Sequence, residues 1–401
     1  MSKCLIVLDH SFRLNSLLMK LGLSSYENAS IVYVSNWYYN KAANNLYKKC
    51  DISLYKESIN YLSYKLKEKY NADLFILKSK NPAREIENFC LENQVDTILY
   101  DLPLFSDKLD FTGNVEVIEI DSDSYIPDCT KMTAKSRWMF WDRNRIVNKD
   151  MCLQNIETKF YKSIGTKHSI DIDMAHKTKE KVVNKINHLK STLENYNTTR
   201  NMREGSTNIS DYLHHGIIDA RDLTHLILSI AGNNLQKGNK FIPFLRQLAF
   251  REISIRKTRT KEIGLHDKVA ETAAKLLDKA SIDNLKSNEF DPVFTKDQLF
   301  SGNTGLERLD TEIKLCIENR WMPNRARMWF AGECYWGLGG GFKSLEALIE
   351  FFNLYSDDAQ SPNNIVSCIE SMRLKYGKVM KFNEERTFRL LSGKEIIKPA
   401  K

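Results

Sequence analysis

The chain has 401 residues, 42% of them apolar, and its 59 Lys and Arg outnumber its 51 Asp and Glu, for a net charge of +8. This length exceeds one typical domain, the apolar fraction excludes wholesale disorder, and the positive balance favours an anionic partner without separating nucleic acid from general surface charge. Eight scattered cysteines with no CxxC pair point to buried reduced thiols and to no metal site.

Met1, Ser2 and Lys3 lead at once into a strand-like run instead of a secretory signal, and no uncharged stretch is long enough to span a bilayer. A cytoplasmic protein is therefore expected. Five short apolar runs mark the first part of the chain: Cys4 to Leu8, Ser30 to Val34, Asp73 to Leu77, Thr97 to Tyr100 and Val115 to Ile120. Amphipathic segments separate several of them, including Ser58 to Tyr70 and Ala83 to Leu91, the latter led by Pro82, which suits the first turn of a helix. Alternating short strands and helices predict an α/β domain over residues 1–125 with an open, mostly parallel sheet, whose ligand crevice would lie beyond the strand carboxyl ends. The first run lacks the glycine-rich fingerprint of a nicotinamide dinucleotide site.

Residues 126–190 are basic, carry little strand pattern, and read as an interdomain linker entering an amphipathic helix at "HKTKEKVVNKINHLKSTLENY". From there the helical period dominates, with Leu223, Leu226, Ile227 and Ile230 on one stripe and Leu306, Leu309, Ile313 and Leu315 contributing others, so residues 191–401 are predicted to be helical.

Four patches in the helical half carry candidate chemistry. "GSTNIS" at 205–210 combines small hydroxyls and backbone donors that suit phosphate oxygens or, more plainly, cap a helix. "FLRQLAFREI" at 244–253 is too apolar for a wholly exposed helix yet holds Arg246, Gln247 and Arg251; a half-buried Arg needs an anionic or planar partner. In "RWMPNRARMWFAGE" at 320–333, Asn324, Arg327 and Met328 share one helical turn, and Arg325 points away from Arg327. In "YSDDAQSPNN" at 355–364, Asp357 and Asp358 offer acceptors, while Asn363 or Asn364 offers donor and acceptor.

Taken together, these patches resemble the photolyase/cryptochrome flavoprotein family. "ISDYLHHGIIDARDL" is similar to the family's Ser-Pro-Tyr-Leu pattern, and "FLRQLAFREI" to its Glu/Gln-Trp-Arg-Glu helix. "GNTGLERLDTEIKLCIENRWMPNRARM" matches best, through TG, the later Asp and the M-x-N-R-x-R-M core. In the front half, "IVLDHSFRLNS" and "LFILKSKNPAREIENFCLENQVDTILYD" resemble the family's first strand and its third strand, Pro-led helix and next strand.

The resemblance implies an α/β domain followed by an all-helical domain that holds a folded FAD. Tyr196, Ser206, Thr207, Ile209 and Ser210 would surround the phosphate, and Gln247, Arg251, Asn324 and Arg327 would line the flavin and pyrophosphate. Asp357 would face the ribityl side and Asn363 the flavin N5, in a register that turns on Pro362. Catalytic roles fall to Asn363, Gln247 and Met328; DNA contacts fall to Phe250, Arg325, Arg256 and Arg259. The implied activity is light-driven repair of cyclobutane pyrimidine dimers in DNA by a lyase. Its partner would be damaged duplex with the dimer flipped out, and the protein is expected to act as a monomer with no membrane association. A second, antenna chromophore of open identity fits the crevice of the first domain.

"MPNRARM" supports the cyclobutane type, because relatives that repair the other main pyrimidine lesion carry a histidine pair in that segment. Three departures favour the alternative of a photolyase-like or cryptochrome-like flavoprotein without repair, acting as light or redox sensor or DNA-binding module. Phe250 stands where a tryptophan would meet the lesion. The family's three-tryptophan chain falls near Leu299 or Phe300, Phe342 and Ser367. No Phe-Asn-Pro stretch is recognisable after Asn364, and "LGGGF" at 338–342 interrupts a helix. Trp321, Trp329 and Trp336 lie in the same half and either provide another electron route or, more plainly, serve packing.

Overall fold

A computed structural model describes residues 2–9, 26–35, 52–102, 108–120, 158–231, 240–261, 269–287, 289–358, 374–375, 378–379 and 384–392. The chain forms two compact units, one of residues 1–186 and 212–235, the other of residues 187–211 and 236–401.

The first unit is built on a sheet whose strands are β1 (Lys3–Asp9), β2 (Asn28–Val34), β3 (Phe75–Leu77), β4 (Thr97–Asp101), β5 (Glu116–Ile120), β6 (Lys159–Phe160) and β7 (Thr166–Lys167). Their order is β5-β4-β1-β2-β3-β7, with β6 beside the start of β2. Every pairing is parallel except that of β7 with β3.

The first four apolar runs become strands because both faces of this sheet are covered, which calls for continuous apolar sequence. On one face Cys4, Ile6 and Leu8 pack with Ile59, Leu62 and Leu66 of α1 (Ser53–Tyr70). On the other, Leu5 and Val7 pack with Ala83, Ile86 and Cys90 of α2 (Pro82–Asn93), and Pro82 sits at its first turn. Each Leu, Ile or Val among them contributes about 1.5–3 kcal/mol by leaving water. α3 (Ile172–Leu193) meets α1 through Thr178, whose hydroxyl donates to Glu57 at 2.9 Å, and Lys179, which pairs with Glu68 at 3.0 Å.

At the carboxyl ends of β1 and β4, where the connections leave in opposite directions, the Tyr100 hydroxyl donates to Asp9 at 2.8 Å and accepts from the Leu109 N–H at 2.8 Å. Burial and the Asp9 charge hold that phenol above its ordinary value.

The second unit contains α4 (Tyr196–Thr199), α5 (Ser210–His214, whose last residues pass to the first unit), α7 (Ile242–Thr260), α8 (Val269–Leu276), α9 (Lys279–Ser287), α10 (Lys296–Ser301), α11 (Glu307–Asn319), α12 (Asn324–Gly337), α13 (Gly341–Tyr355), the short hairpin β8 (Leu374–Lys375) and β9 (Lys378–Val379), and α14 (Glu384–Leu391). α6 (Ala220–Ile230) belongs to the first unit and buries Leu223 and Ile227 of the expected stripe, whereas Ile230 is exposed. The core of the helical unit gathers Leu309, Ile313 and Cys316 of α11, Trp329, Phe330 and Tyr335 of α12, and Leu345, Leu348, Phe351 and Phe352 of α13.

"LGGGF" is a turn between α12 and α13. Gly339, Gly340 and Gly341 all take positive φ, at 93°, 77° and 69°, which L side chains resist. The Gly340 N–H donates to the Tyr335 carbonyl at 2.9 Å and the Gly341 N–H to the Tyr335 hydroxyl at 3.1 Å, so the reversal is hydrogen-bonded. An α/β part followed by a helical part is thus the architecture that the sequence pattern predicts. Among the described residues no helix is long and apolar enough to cross a membrane, and no three His, Cys, Asp or Glu cluster to hold a metal.

Candidate functional site

The centre of the helical unit's polar residues is Arg327. It lies on α12 with Asn324 and Met328 at helical spacing, and its guanidinium stands over the Phe352 ring at 5.7 Å, at the edge of the buried core that holds Trp329 and Phe330. Its Nε donates to the Met322 carbonyl at 2.8 Å, and its Nη2 reaches both Asp358 oxygens at 2.8 and 3.1 Å. The Ser356 hydroxyl donates to Asp358 at 2.8 Å, and the Ser210 hydroxyl bonds the same carboxylate. Burial alone would raise the Asp358 carboxyl; the Arg327 charge and the bonds from Ser210, Arg327 and Ser356 outweigh it and hold the group below the ordinary carboxylate value.

Of the two adjacent acids, Asp358 enters this network. Asp357 turns aside to Arg320, whose Nε donates to it at 2.6 Å, and its own N–H donates to the Arg320 carbonyl at 2.9 Å. Asn363 and Asn364 lie outside the described residues.

Ser210 also marks the end of the 203–210 loop. Gly205 is pressed against α4, since a Cβ there would lie 2.1 Å from the Thr199 carbonyl oxygen. Asn208 takes φ 47°, a turn that asparagine tolerates better than most residues, and Ile209 is buried. His188 Nε2 donates to the Ser206 carbonyl at 2.9 Å, which fixes its proton on that nitrogen. Thr207 is half-buried and makes no hydrogen bond among the described residues.

Tyr196 opens α4 and stands edge-on to Phe244 of α7, ring centroids 5.4 Å apart. Burial pushes its phenol up to about 12, the Arg200 charge opposing, and its hydroxyl has no hydrogen-bond partner among the described residues. Phe244, Gln247 and Arg251 fall at positions i, i+3 and i+7 of α7, so Gln247 and Arg251 continue the stripe that touches Tyr196. Gln247 is exposed and Arg251 half-buried, as befits a stripe that opens to solvent.

Phe250 is 49% exposed, unusual for so large an apolar side chain. Arg325 is half-buried on the far side of α12 from Arg327, and Arg256 and Arg259 lie in the last turns of α7, where side chains fall outside the described set.

No family model matches the sequence, and no curated protein matches it. Solved structures do. A bacterial class III photolyase from Agrobacterium tumefaciens superposes with a TM-score of 0.67 over 98% of this chain and 85% of its own, at 14% identity. An archaeal photolyase from Sulfolobus tokodaii, solved with two FAD molecules, superposes with a TM-score of 0.61 over 96% of this chain and 87% of its own, also at 14% identity. The chain has the photolyase fold.

Within that photolyase fold, sequence reasoning named Asp358 without choosing it over Asp357, and missed two further side chains, Arg203 and Glu312. Asp358 was hidden by its neighbour Asp357, because an acidic pair with no fixed register gives no means of choosing between them. Arg203, just upstream of the 205–210 patch, donates to Glu312 of α11, which is 2% exposed. Glu312 did carry a signal: Leu309, Glu312, Ile313 and Cys316 share one helical stripe, and an acid on an apolar stripe asks for a partner.

Proposed function

We propose that the helical unit binds FAD and that the protein is a light-driven lyase for cyclobutane pyrimidine dimers in DNA. The observation that carries this reading is the Ser210–Asp358–Arg327 network, which ties the 205–210 loop to α12 within the photolyase fold. The donor set fits a dinucleotide. The hydroxyls of Ser206 and Thr207 and the guanidinium of Arg251 suit phosphate oxygens, and the side chains of Tyr196, Thr207, Gln247 and Asn324 hold hydrogen-bonding capacity not spent on any described residue.

When bound, reduced flavin excited by blue light supplies the electron that opens the dimer ring. The chain's own residues do the rest. Arg251 and the loop hydroxyls neutralise and orient the phosphates. We assign the acid on the cofactor side to Asp358 in place of Asp357, because Asp358 joins the side chains of Ser210 and Arg327 whereas Asp357 pairs with Arg320. Arg327, two of its nitrogens already committed, acts as a fixed positive charge beside the ring system. Met328 and Phe250 offer apolar surface to a flipped pyrimidine dimer, and Arg256, Arg259 and Arg325 supply cations for the backbone without reading sequence. The carboxyl ends of β1 and β4 are the place we assign to an antenna chromophore.

One observation favours a second reading, a photolyase-like protein without repair. The places of the family's three tryptophans fall near Leu299 or Phe300, Phe342 and Ser367, and none of these side chains has comparable oxidation chemistry. Incubating the reduced protein with dimer-containing DNA under blue light and in darkness decides between them. Light-dependent loss of dimers is expected; flavin binding with no such loss would leave the sensor reading in its place.

A further inference from the structure

The 203–210 loop is held at both ends. At its far end Ser210 bonds Asp358. At its near end the Arg203 N–H donates to the Leu391 carbonyl of α14 at 3.0 Å, and the Arg203 guanidinium pairs with Glu312 Oε1. Between these anchors sit Ser206, Thr207 and Ile209, the stretch given above to the phosphates.

Glu312 is an expensive residue at its position. It is 2% exposed on the stripe that buries Leu309, Ile313 and Cys316, and its Oε2 is buried with no hydrogen-bond partner among the described residues. Burial pushes its carboxyl up while Arg203 opposes the shift. A buried ion pair adds little net stability compared with apolar side chains of similar volume. A small apolar residue would pack against the same core without leaving an oxygen unsatisfied. A role in fixing Arg203 accounts for the choice.

We propose that Glu312 is a positioning residue for cofactor binding. It locks Arg203, and with it the loop, in the receiving shape before the cofactor arrives, so that association does not have to order the loop. This inference rests on the FAD reading. It adds that affinity depends on a pair of side chains of which neither is assigned to touch the cofactor.

The test is FAD titration of the cofactor-free full chain, followed by flavin fluorescence and by the visible circular dichroism of the bound flavin. The variants are Arg203→Ala, Arg203→Lys, Glu312→Ala, Glu312→Gln and the Arg203→Ala/Glu312→Ala double. Arg203→Ala and Glu312→Ala are each expected to weaken FAD binding by about tenfold, the scale of an ordering cost restored. Arg203→Lys should recover most of the loss, and the double variant should bind no worse than Arg203→Ala alone, because both changes remove one pair. The visible dichroism of the bound flavin should change in the weakened variants. A lower melting temperature in the cofactor-free state with unaltered FAD affinity and dichroism would overturn the inference and leave the pair purely structural. If Arg203→Ala or Glu312→Ala fails to fold, Arg203→Lys against Glu312→Gln, which keeps shape and loses charge, carries the same comparison: weakening by Glu312→Gln alone supports it, and equal affinity overturns it. Absence of FAD binding by the unmodified protein would sink the cofactor reading itself, a result distinct from equal affinity across the variants.

Discussion

Removing the Asp358 carboxylate is the sharpest perturbation available to the helical unit. In Asp358→Ala, Arg327 keeps its bond to the Met322 carbonyl but loses the carboxylate that faces its Nη2 at 2.8 and 3.1 Å. Its side chain is only 14% exposed and lies over the Phe352 ring, so water replaces that partner poorly. Breaking a buried pair from one side costs about 3–5 kcal/mol. At about 2–4 °C per kcal/mol for a domain of 150–250 residues, melting should fall by roughly 6–20 °C. Asp358→Asn keeps the shape and loses the charge, so its cost should be smaller, about 1.5–3 kcal/mol. The pH dependence has a definite sign. The folded carboxyl is held below its ordinary value, so the folded state binds that proton less tightly than the unfolded chain does. Its stabilisation is complete above the unfolded pKa of about 3.9 and is lost as pH falls through the lower folded value. Thermal melts followed by circular dichroism from pH 7 to pH 3 should show the gap between the unmodified protein and Asp358→Asn narrowing only at the acid end. A gap that is constant across that range, or an Asp358→Ala melt matching the unmodified protein, would refute the buried-pair account.

Four further outcomes are expected. Gly337→Ala should destabilise by about 1–3 kcal/mol in urea titration, because a Cβ there would lie 2.0 Å from the Phe294 ring; an unchanged midpoint would show that the ring moves freely. Tyr100→Phe should cost about 1–3 kcal/mol in the same measurement by stripping the Leu109 N–H and Asp9 of a partner. Arg251→Ala should raise the FAD dissociation constant by about tenfold, the loss of one charge-assisted contact, and unaltered retention would remove Arg251 from the site. Phe250→Ala should leave stability within about 0.5 kcal/mol, since the ring is half exposed, while lowering affinity for dimer-containing DNA in a gel-shift assay; equal affinity would deny Phe250 any role in binding the lesion.

How much was legible in the sequence depended on whether local pattern or register decided the outcome. β1, β2, β3 and β4 were readable because strands covered on both faces show as continuous apolar runs, and Pro82 marked the start of α2. β5 was readable from Val115 to Ile120 although its Glu116, Ile118 and Glu119 are exposed at the sheet edge. β6 and β7 were invisible: Lys159–Phe160 and Thr166–Lys167 are too short to carry a period and form by docking on β2 and β3. The 205–210 patch was readable from its small hydroxyls. Which acid meets Arg327 was not, since Asp357 and Asp358 differ by one position and the choice depends on how Arg320, at φ 52°, turns the chain after α11. The Arg203–Glu312 pair joins positions 109 residues apart, a separation at which only one half of a partnership can be flagged in advance.

The path of the chain between the two compact units has a consequence for biosynthesis. Residues 187–211 belong to the helical unit and residues 212–235 return to the first, so the chain crosses from one to the other three times. Neither unit is a single continuous stretch of polypeptide. On the ribosome the first unit cannot acquire its last helix until residue 230 has emerged, and the early segment of the helical unit must wait for nearly all of the remaining translation before α7, α11 and α14 all exist to receive it. A split of the gene at any one point would leave at least one unit divided between the two fragments, so complementation between fragments, not independent folding of both, is what such a cut should yield.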